Sequence, residues 1–259
     1  RAIGLYNAAI HAGLTLGPLA GLAIGASGDS NLPFLIFAGL CFAGGLAIFL
    51  LLPEETRHTE LALSGKADPR ALLRVMMEGR HAVLFAGVLL YGACYGIFVS
   101  VLPISLTLLN GFGAQSTGIL FFLFYAAISL SQVVAGPLSD RHGRRGFLIG
   151  GMGLAALGFS TFFFLPGLWA LGPLFLASLG LGTFCVASIA ELNEAVRPDL
   201  RGTVSGGYYL FWGLGYFAGP QVIGLLGAGA QETGYGILGF VLLGQGVAML
   251  FFLDGRKRT

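Results

Sequence analysis

Hydrophobic positions in this chain do not alternate with polar ones but run together in long stretches. A helix needs about 20 mainly apolar residues to cross the hydrocarbon core of a bilayer. Strand-type alternation is absent, so the backbone polar groups have to be satisfied inside helices. The pattern predicts an all-α membrane protein with eight transmembrane helices, at residues 3–26, 32–52, 82–109, 117–138, 147–165, 168–190, 203–228 and 234–253.

Composition favours the same class, because 56% of the residues are hydrophobic and only 10% are charged. The 43 glycines lie largely inside the apolar stretches, where small residues let helices approach closely. Cys41, Cys94 and Cys185 also fall in predicted spans and show neither a disulfide framework nor a metal-binding spacing. We expect a lipid bilayer around the protein, and no metal, cofactor or nucleic-acid partner.

The cations predict the orientation. All 14 Lys and Arg lie in alternate loops or at the chain ends, and the loops between them carry none. The positive-inside rule therefore places the basic side, with both chain ends, in the cytoplasm. Glu191 and Glu194, at one end of the sixth span, are expected to pair with the nearby Arg197 and Arg201.

The longest polar segment, residues 53–81, separates the first two predicted spans from the last six. Its five acids and five Lys or Arg balance, which is typical of a solvated cytoplasmic linker. A short interfacial helix at 71–77 is the alternative. The chain opens on Arg1, not Met, and runs into a span within a few residues, so we expect further residues to precede it.

A shared motif relates two of the predicted spans. The first span contains GLTLGPLAG and the seventh contains GYFAGPQVIG, and both carry Gly-x-x-x-Gly-Pro. We therefore expect these spans to be equivalent members of two related halves. The motif residues, expected to pack helices, are Gly13, Gly17, Pro18 and Gly21 in the first span and Gly215, Gly219 and Pro220 in the seventh.

If six spans form one half, residues 1–52 hold the last two helices of an N-terminal half, 53–81 the linker and 82–259 a complete C-terminal half. This six-plus-six plan resembles the major facilitator superfamily of secondary transporters. Residues 136–145, GPLSDRHGRR, match the family's signature loop Gly-x-Leu-x-Asp-Arg-x-Gly-Arg-Arg at every specified position, between the second and third spans of their half.

The first span extends the resemblance to the antiporter branch of that family. The branch carries Gly-x-x-x-Gly-Pro-x-x-Gly-Gly in the fifth span of its first half, and here only the last Gly is replaced, by Leu22. The resemblance covers the whole chain and implies four further spans before Arg1. It also implies a bacterial inner membrane and an efflux transporter of drugs or similar solutes.

The signature loop is expected to act as a conformational latch. Gly143 allows a tight turn, Asp140 favours the positive N-terminus of a neighbouring helix, and guanidinium groups hold carboxylates bidentately. The resemblance implies that the loop holds the first span, near residues 1–6, in the outward-facing state. The latch residues are Gly136, Asp140, Arg141, Gly143, Arg144 and Arg145. Alternatively, the arginines only set topology and meet lipid head groups.

The first span has two distinct faces. Gly13, Gly17, Gly21 and Gly25 recur every four residues on a face suited to packing. About 200° around the helix, Asn7, His11 and Thr15 form a polar stripe, a candidate substrate or proton path. In the second half the candidate pathway residues are Tyr91, Tyr95, Tyr125, Gln132, Tyr209 and Trp212. For these, hydrogen bonding or packing between helices is the alternative.

These observations predict a transporter and not an enzyme. It would export a small organic molecule against a proton gradient by rocking its two halves. No acidic residue lies deep in a predicted span, so the proton carrier is His11 or lies in preceding helices. One alternative is an enzyme that binds phosphate or metal at Asp140 and His142, although such sites need more carboxylates or imidazoles. A non-transporting sensor or scaffold is the other.

Overall fold

A computed structural model describes residues 2–25, 31–51, 70, 73, 75–76, 78–227 and 230–253, with side chains from residue 12 onward except that of residue 199. This part of the chain is all-helical, as predicted, and contains no strand. Its nine α-helices are α1 (Ala2–Gly25), α2 (Leu32–Leu51), α3 (Gly79–Val99), α4 (Val101–Asn110), α5 (Ala114–His142), α6 (Arg144–Thr161), α7 (Leu171–Glu194), α8 (Arg201–Leu225) and α9 (Gln231–Phe252).

The third predicted span, 82–109, is divided into α3 and α4 by a break at Ser100. The Ser100 backbone lies at the edge of the right-handed helical region, with φ −114° and ψ −65°, and its hydroxyl donates to Gly96 O at 2.6 Å. Pro103 lies in the first turn of α4, where its missing N–H leaves no helical bond unmade. Because both sides of the break are equally apolar, the hydrophobic pattern does not reveal it.

Within the described residues, six helical stretches are long and apolar enough to cross a membrane: Leu32–Leu51, Gly79–Val99, Ala114–His142, Arg144–Phe164, Gly167–Glu194 and Gln231–Phe252. Helix α1 contributes only the shorter apolar stretch Ala12–Gly25, and α8 is not among the six. The count of eight spans, and their division into two halves joined by a linker at 53–81, stay predictions.

A single hydrophobic core extends from Val83 to Leu253, so it belongs to helices α3 to α9. Helix α3 is its most buried helix, whereas α2 contains no buried residue. The outer faces carry large apolar side chains, among them Leu225 at 87% and Phe251 at 76% exposure. Contiguous apolar surface of this kind is unfavourable in water and suits the hydrocarbon of a bilayer.

Helices α3 and α8 meet backbone to backbone through glycines on both sides, a contact we call the glycine seam. A Cβ built on Gly92 would lie 2.0 Å from Trp212 O, and one on Gly215 would lie 1.9 Å from Leu89 O. Gly96 and Gly219 continue the seam towards the other end of the helices. Any side chain here would force the two helices apart, because the atoms it would meet are backbone atoms.

Helix α1 packs differently. No described atom lies within 4 Å of where a Cβ on Gly13, Gly17 or Gly21 would be, so the predicted partner of the glycine face is not among the described residues. The opposite face contacts α5 instead, where a Cβ on Gly118 would lie 2.1 Å from Leu22 Cδ1. Leu22, the residue that departs from the antiporter pattern, thus fills the notch that Gly118 leaves.

The glycine seam predicts a position-specific loss of stability. We expect Gly215→Val to lower the free energy of unfolding by about 3 kcal/mol or more, beyond the usual cost of overpacking, because the helices must separate. The measurement is thermal unfolding in detergent, followed by circular dichroism. Gly213→Ala in the same helix is the control, since nothing lies within 4 Å of a Cβ there. Equal effects of the two changes would contradict the seam.

Candidate functional site

The signature loop is a tight turn between two long helices. Helix α5 ends at His142 and α6 begins at Arg144, with Gly143 alone between them. Gly143 has φ +89°, a conformation that is costly for any residue with a Cβ. Gly136, nearly two turns before the end of α5, lies against Val186 of α7. The turn therefore presents the charged side chains of the loop at one end of the bundle.

Arg144 joins this loop to the end of α7. Its Nε and a terminal nitrogen donate to the two carboxylate oxygens of Glu194 at 3.1 and 2.6 Å. The same guanidinium lies 2.8 Å from Asp140 Oδ1, one turn earlier in the chain. The Arg144 side chain is only 10% exposed, whereas both acids are more than 60% exposed. Bidentate pairing of this kind fixes geometry as well as charge.

Two further contacts tie helix ends together at the same end of the bundle. Arg145 donates to Leu250 O at 2.6 Å, in the last turn of α9, where backbone carbonyls lack helical partners and a cation is favoured. Arg80, at the start of α3, forms an ion pair with Glu191 of α7. We call the residues of these three contacts the charged rim: Arg80, Asp140, Arg144, Arg145, Glu191, Glu194 and Leu250.

The acids of the charged rim have partners that the sequence did not indicate. Glu191 and Glu194 pair with Arg80 and Arg144, which are distant in sequence, and Arg201 adds an electrostatic attraction to Glu194. Arg201 also donates to Asn193 O at 3.2 Å, and Arg141 is exposed. The predicted contact of Asp140 with the first span involves residues 1–6, whose side chains lie outside the described ones, so that contact stays a prediction.

A second group of candidate residues surrounds Tyr95, in the last third of α3. We call it the aromatic cluster: Tyr91, Tyr95, Phe124, Tyr125, Trp212 and Tyr216. The Tyr95 ring centroid lies 5.6 Å from that of Trp212 and 6.2 Å from that of Tyr216, and these two rings are 5.3 Å apart. Most pairs are tilted or edge-to-face, the arrangements that aromatic quadrupoles favour.

The glycine seam positions these rings. Tyr95 lies between Gly92 and Gly96 on α3, and the backbones of Trp212 and Tyr216 press on these two glycines from α8. The sequence prediction included Tyr91, Tyr95, Tyr125 and Trp212 but missed Tyr216 and Phe124. Tyr216 follows Trp212 by four residues and so shares its helix face, a spacing that could have identified it.

The predicted pathway residues differ widely in burial. Tyr91, within the aromatic cluster, is buried and its ring lies 6.2 Å from that of Phe184 in the core, while Tyr209 is 61% exposed and contacts Tyr208. Gln132 is half-buried on α5. The Thr15 hydroxyl lies 3.4 Å from that of Ser129, so this member of the polar stripe faces α5. Asn7 and His11 lie outside the described side chains.

The enzyme alternative gains no support from the described residues. Among them, no group of three His, Cys, Asp or Glu side chains is placed to hold a metal ion. His142 Nδ1 lies 3.1 Å from Leu138 O in its own helix, and Asp140 is engaged by Arg144. The loop is thus arranged to hold helix ends together.

Three curated relatives are tetracycline resistance proteins. The class C protein of Escherichia coli is 27% identical over 252 residues, covering 92% of this chain and 60% of that protein. The class G protein of Vibrio anguillarum is 27% identical over 85% of this chain and 56% of its own length. The class H protein of Pasteurella multocida is 28% identical, over 63% and 42%. The chain thus spans at most 60% of these relatives.

The sequence model described as Major Facilitator Superfamily matches residues 1–220 and, in a second match, residues 84–259. These matches include the signature loop and extend over the whole chain, which confirms the resemblance drawn from that loop. The apolar helices agree with an integral, multi-pass membrane protein. The chain belongs to the Major Facilitator Superfamily.

Proposed function

We propose that this chain forms part of a proton-coupled secondary transporter that exports a small organic molecule or drug by alternating access. The charged rim then faces the cytoplasm of a bacterial cell, and both chain ends lie on that side of the inner membrane. Transport, and not catalysis, is the proposed activity. The family and the tetracycline resistance relatives support this class of function.

The observation that carries the proposal is the Arg144 contact with Glu194 and Asp140. From residue 82 to residue 253 every charged residue except Glu232 lies in or beside the loops that join α5 to α6 and α7 to α8. Charges cost least where water reaches them, so a group at this end sets orientation and holds helix ends together. The loop is thereby held in one shape while Asp140 keeps most of its surface exposed.

The exposed Asp140 is suited to the proposed latch role. A charge-assisted hydrogen bond contributes about 1–3 kcal/mol, and less where water screens it. An interaction of that size biases a two-state equilibrium without locking it. We propose that Asp140, supported by Arg144, holds the end of the first span in one state and releases it in the other.

The aromatic cluster is the proposed substrate contact. Half-buried aromatic rings bind flat organic molecules by stacking, and a tetracycline is such a molecule. The names of the relatives make tetracycline the first compound to test. The described spans hold no buried carboxylate, so the proposed proton carrier is His11 or a carboxylate outside the described residues.

Removing the Arg144 contact should slow transport. We expect Arg144→Gln to lower proton-driven efflux about three- to tenfold, because one uncompensated contact biases the conformational equilibrium by about 1 kcal/mol. Arg144→Lys should rescue little, since an ammonium cannot pair bidentately. Asp140→Asn should also slow efflux. The measurement is solute flux with the full-length protein in liposomes.

Arg141→Gln provides the matched control for that experiment, because Arg141 lies in the same loop and is exposed. It removes one positive charge without touching the contact with Glu194. An equal loss of flux in Arg141→Gln and Arg144→Gln would assign the effect to loop charge alone. Turnover of a phosphate ester without solute flux would refute the transporter proposal.

The aromatic cluster predicts a difference between the two tryptophans of the chain. Trp212 is half-buried beside Tyr95, whereas Trp169 is 77% exposed. We expect Trp212→Leu to weaken tetracycline binding about three- to tenfold, the value of one aromatic contact. Trp169→Leu should leave binding unchanged. Equilibrium binding to the purified protein measures both, and equal affinities of the two variants would exclude the cluster as the contact.

A further inference from the structure

A polar pocket opens at the charged rim, between the start of α3 and the end of α7. Its volume is about 360 Å³, and its lining residues are Glu78, Arg80, His81, Glu191, Glu194 and Ala195. It shares no lining residue with the aromatic cluster, and it adjoins the signature loop through Glu194, which Arg144 binds. Neither the latch role nor the substrate contact uses its buried histidine, His81.

His81 is buried without the hydrogen bonds that a buried imidazole requires. The residue is 5% exposed, and neither ring nitrogen makes a hydrogen bond within the described residues. Nδ1 lies 3.0 Å from Glu78 Oε2, but this approach lacks hydrogen-bond geometry. A buried polar atom left in this condition costs about 1–3 kcal/mol and calls for an explanation.

The contact with Glu78 provides one. From the segment before α3 and its first turn come Glu78 and Arg80, from α7 come Glu191 and Glu194, and Arg144 of α6 and Arg201 both attract Glu194. From α9 the described neighbour of this turn is the apolar Phe252, beside Gly79. The carboxylate that approaches the His81 ring is that of Glu78. A proton on the imidazole would turn this contact into a charge-assisted hydrogen bond.

We propose that this pocket is a proton-binding site, in which His81 accepts a proton from cytoplasmic water and the imidazolium pairs with Glu78. Glu78 lies at the end of the predicted linker, and Arg80 already ties the start of α3 to Glu191. Protonation would thus fasten Glu78 to the first turn of α3, which Arg80 joins to α7. The proton leaves as pH rises, so the fastened form is the one that acid favours.

Amide hydrogen exchange in the first turn of α3 measures how firmly Glu78 is held. The amides of His81 and Ala82 both donate to Glu78 O at 2.9 Å, so they exchange with solvent when Glu78 moves away. Hydrogen exchange followed by mass spectrometry can be corrected for the intrinsic effect of pH. In the full-length protein we expect protection of the peptide covering residues 78–82 to rise about two- to fivefold between about pH 8 and about pH 6.

Three variants decide the interpretation. His81→Gln should remove the pH dependence, and so should Glu78→Gln, which keeps the imidazole but removes its partner. His142→Gln is the control, because His142 is an exposed histidine at the same end of the bundle and should leave the rise intact. A pH-independent wild type, or a rise that survives His81→Gln or Glu78→Gln, would overturn the proposal. The measurement needs no substrate, so its failure would not bear on transport.

Discussion

The close approach of α3 and α8 is the constraint on which the rest of the structure depends. Between helices in a bilayer, lipid tails are as apolar as leucine, so association depends on van der Waals contact at short range. Gly92 and Gly215 supply that contact by removing every atom between the two backbones. The same device recurs between α6 and α7, where a Cβ on Gly180 would lie 2.4 Å from Gly151 O. Helices joined in this way move together.

Helix α1 is joined to the bundle by a different kind of contact. Leu22 inserts into the notch at Gly118, and Thr15 meets Ser129 at 3.4 Å. Side-chain contacts of this type allow sliding more readily than a backbone seam does, because rotamers adjust and backbones do not. A bundle that is rigid within and adjustable at α1 is what the proposed alternating access requires. Leu22 therefore has a packing reason to replace the glycine of the antiporter pattern.

Much of the fold is predictable from the sequence because apolar length alone decides where a helix can cross a bilayer. The signature loop is predictable for a related reason, since Asp140 and Arg144 are among the few charges in an apolar chain. The partner of Arg144 is not predictable, because Glu194 follows it by 50 residues and only packing of α6 on α7 unites them. The break at Ser100 is not predictable either, because the sequence is equally apolar on both sides of it. The unbonded nitrogens of His81 can be recognised only in the structure, which shows that the side chain is buried.

The position of the charged rim explains why the charged residues of this bundle cluster at the helix ends. At the bilayer centre an Arg144–Glu194 pair would cost several kcal/mol in desolvation, and in open water it would contribute almost nothing. At the helix ends the Arg144 guanidinium is nearly buried, whereas Asp140 and Glu194 remain largely exposed to water. The electrostatic attraction is therefore retained, and the desolvation cost is moderate. An interaction of that intermediate strength can form and break as the helix ends move. A proton on His81 would act on the same helix ends, through the same balance of burial and charge.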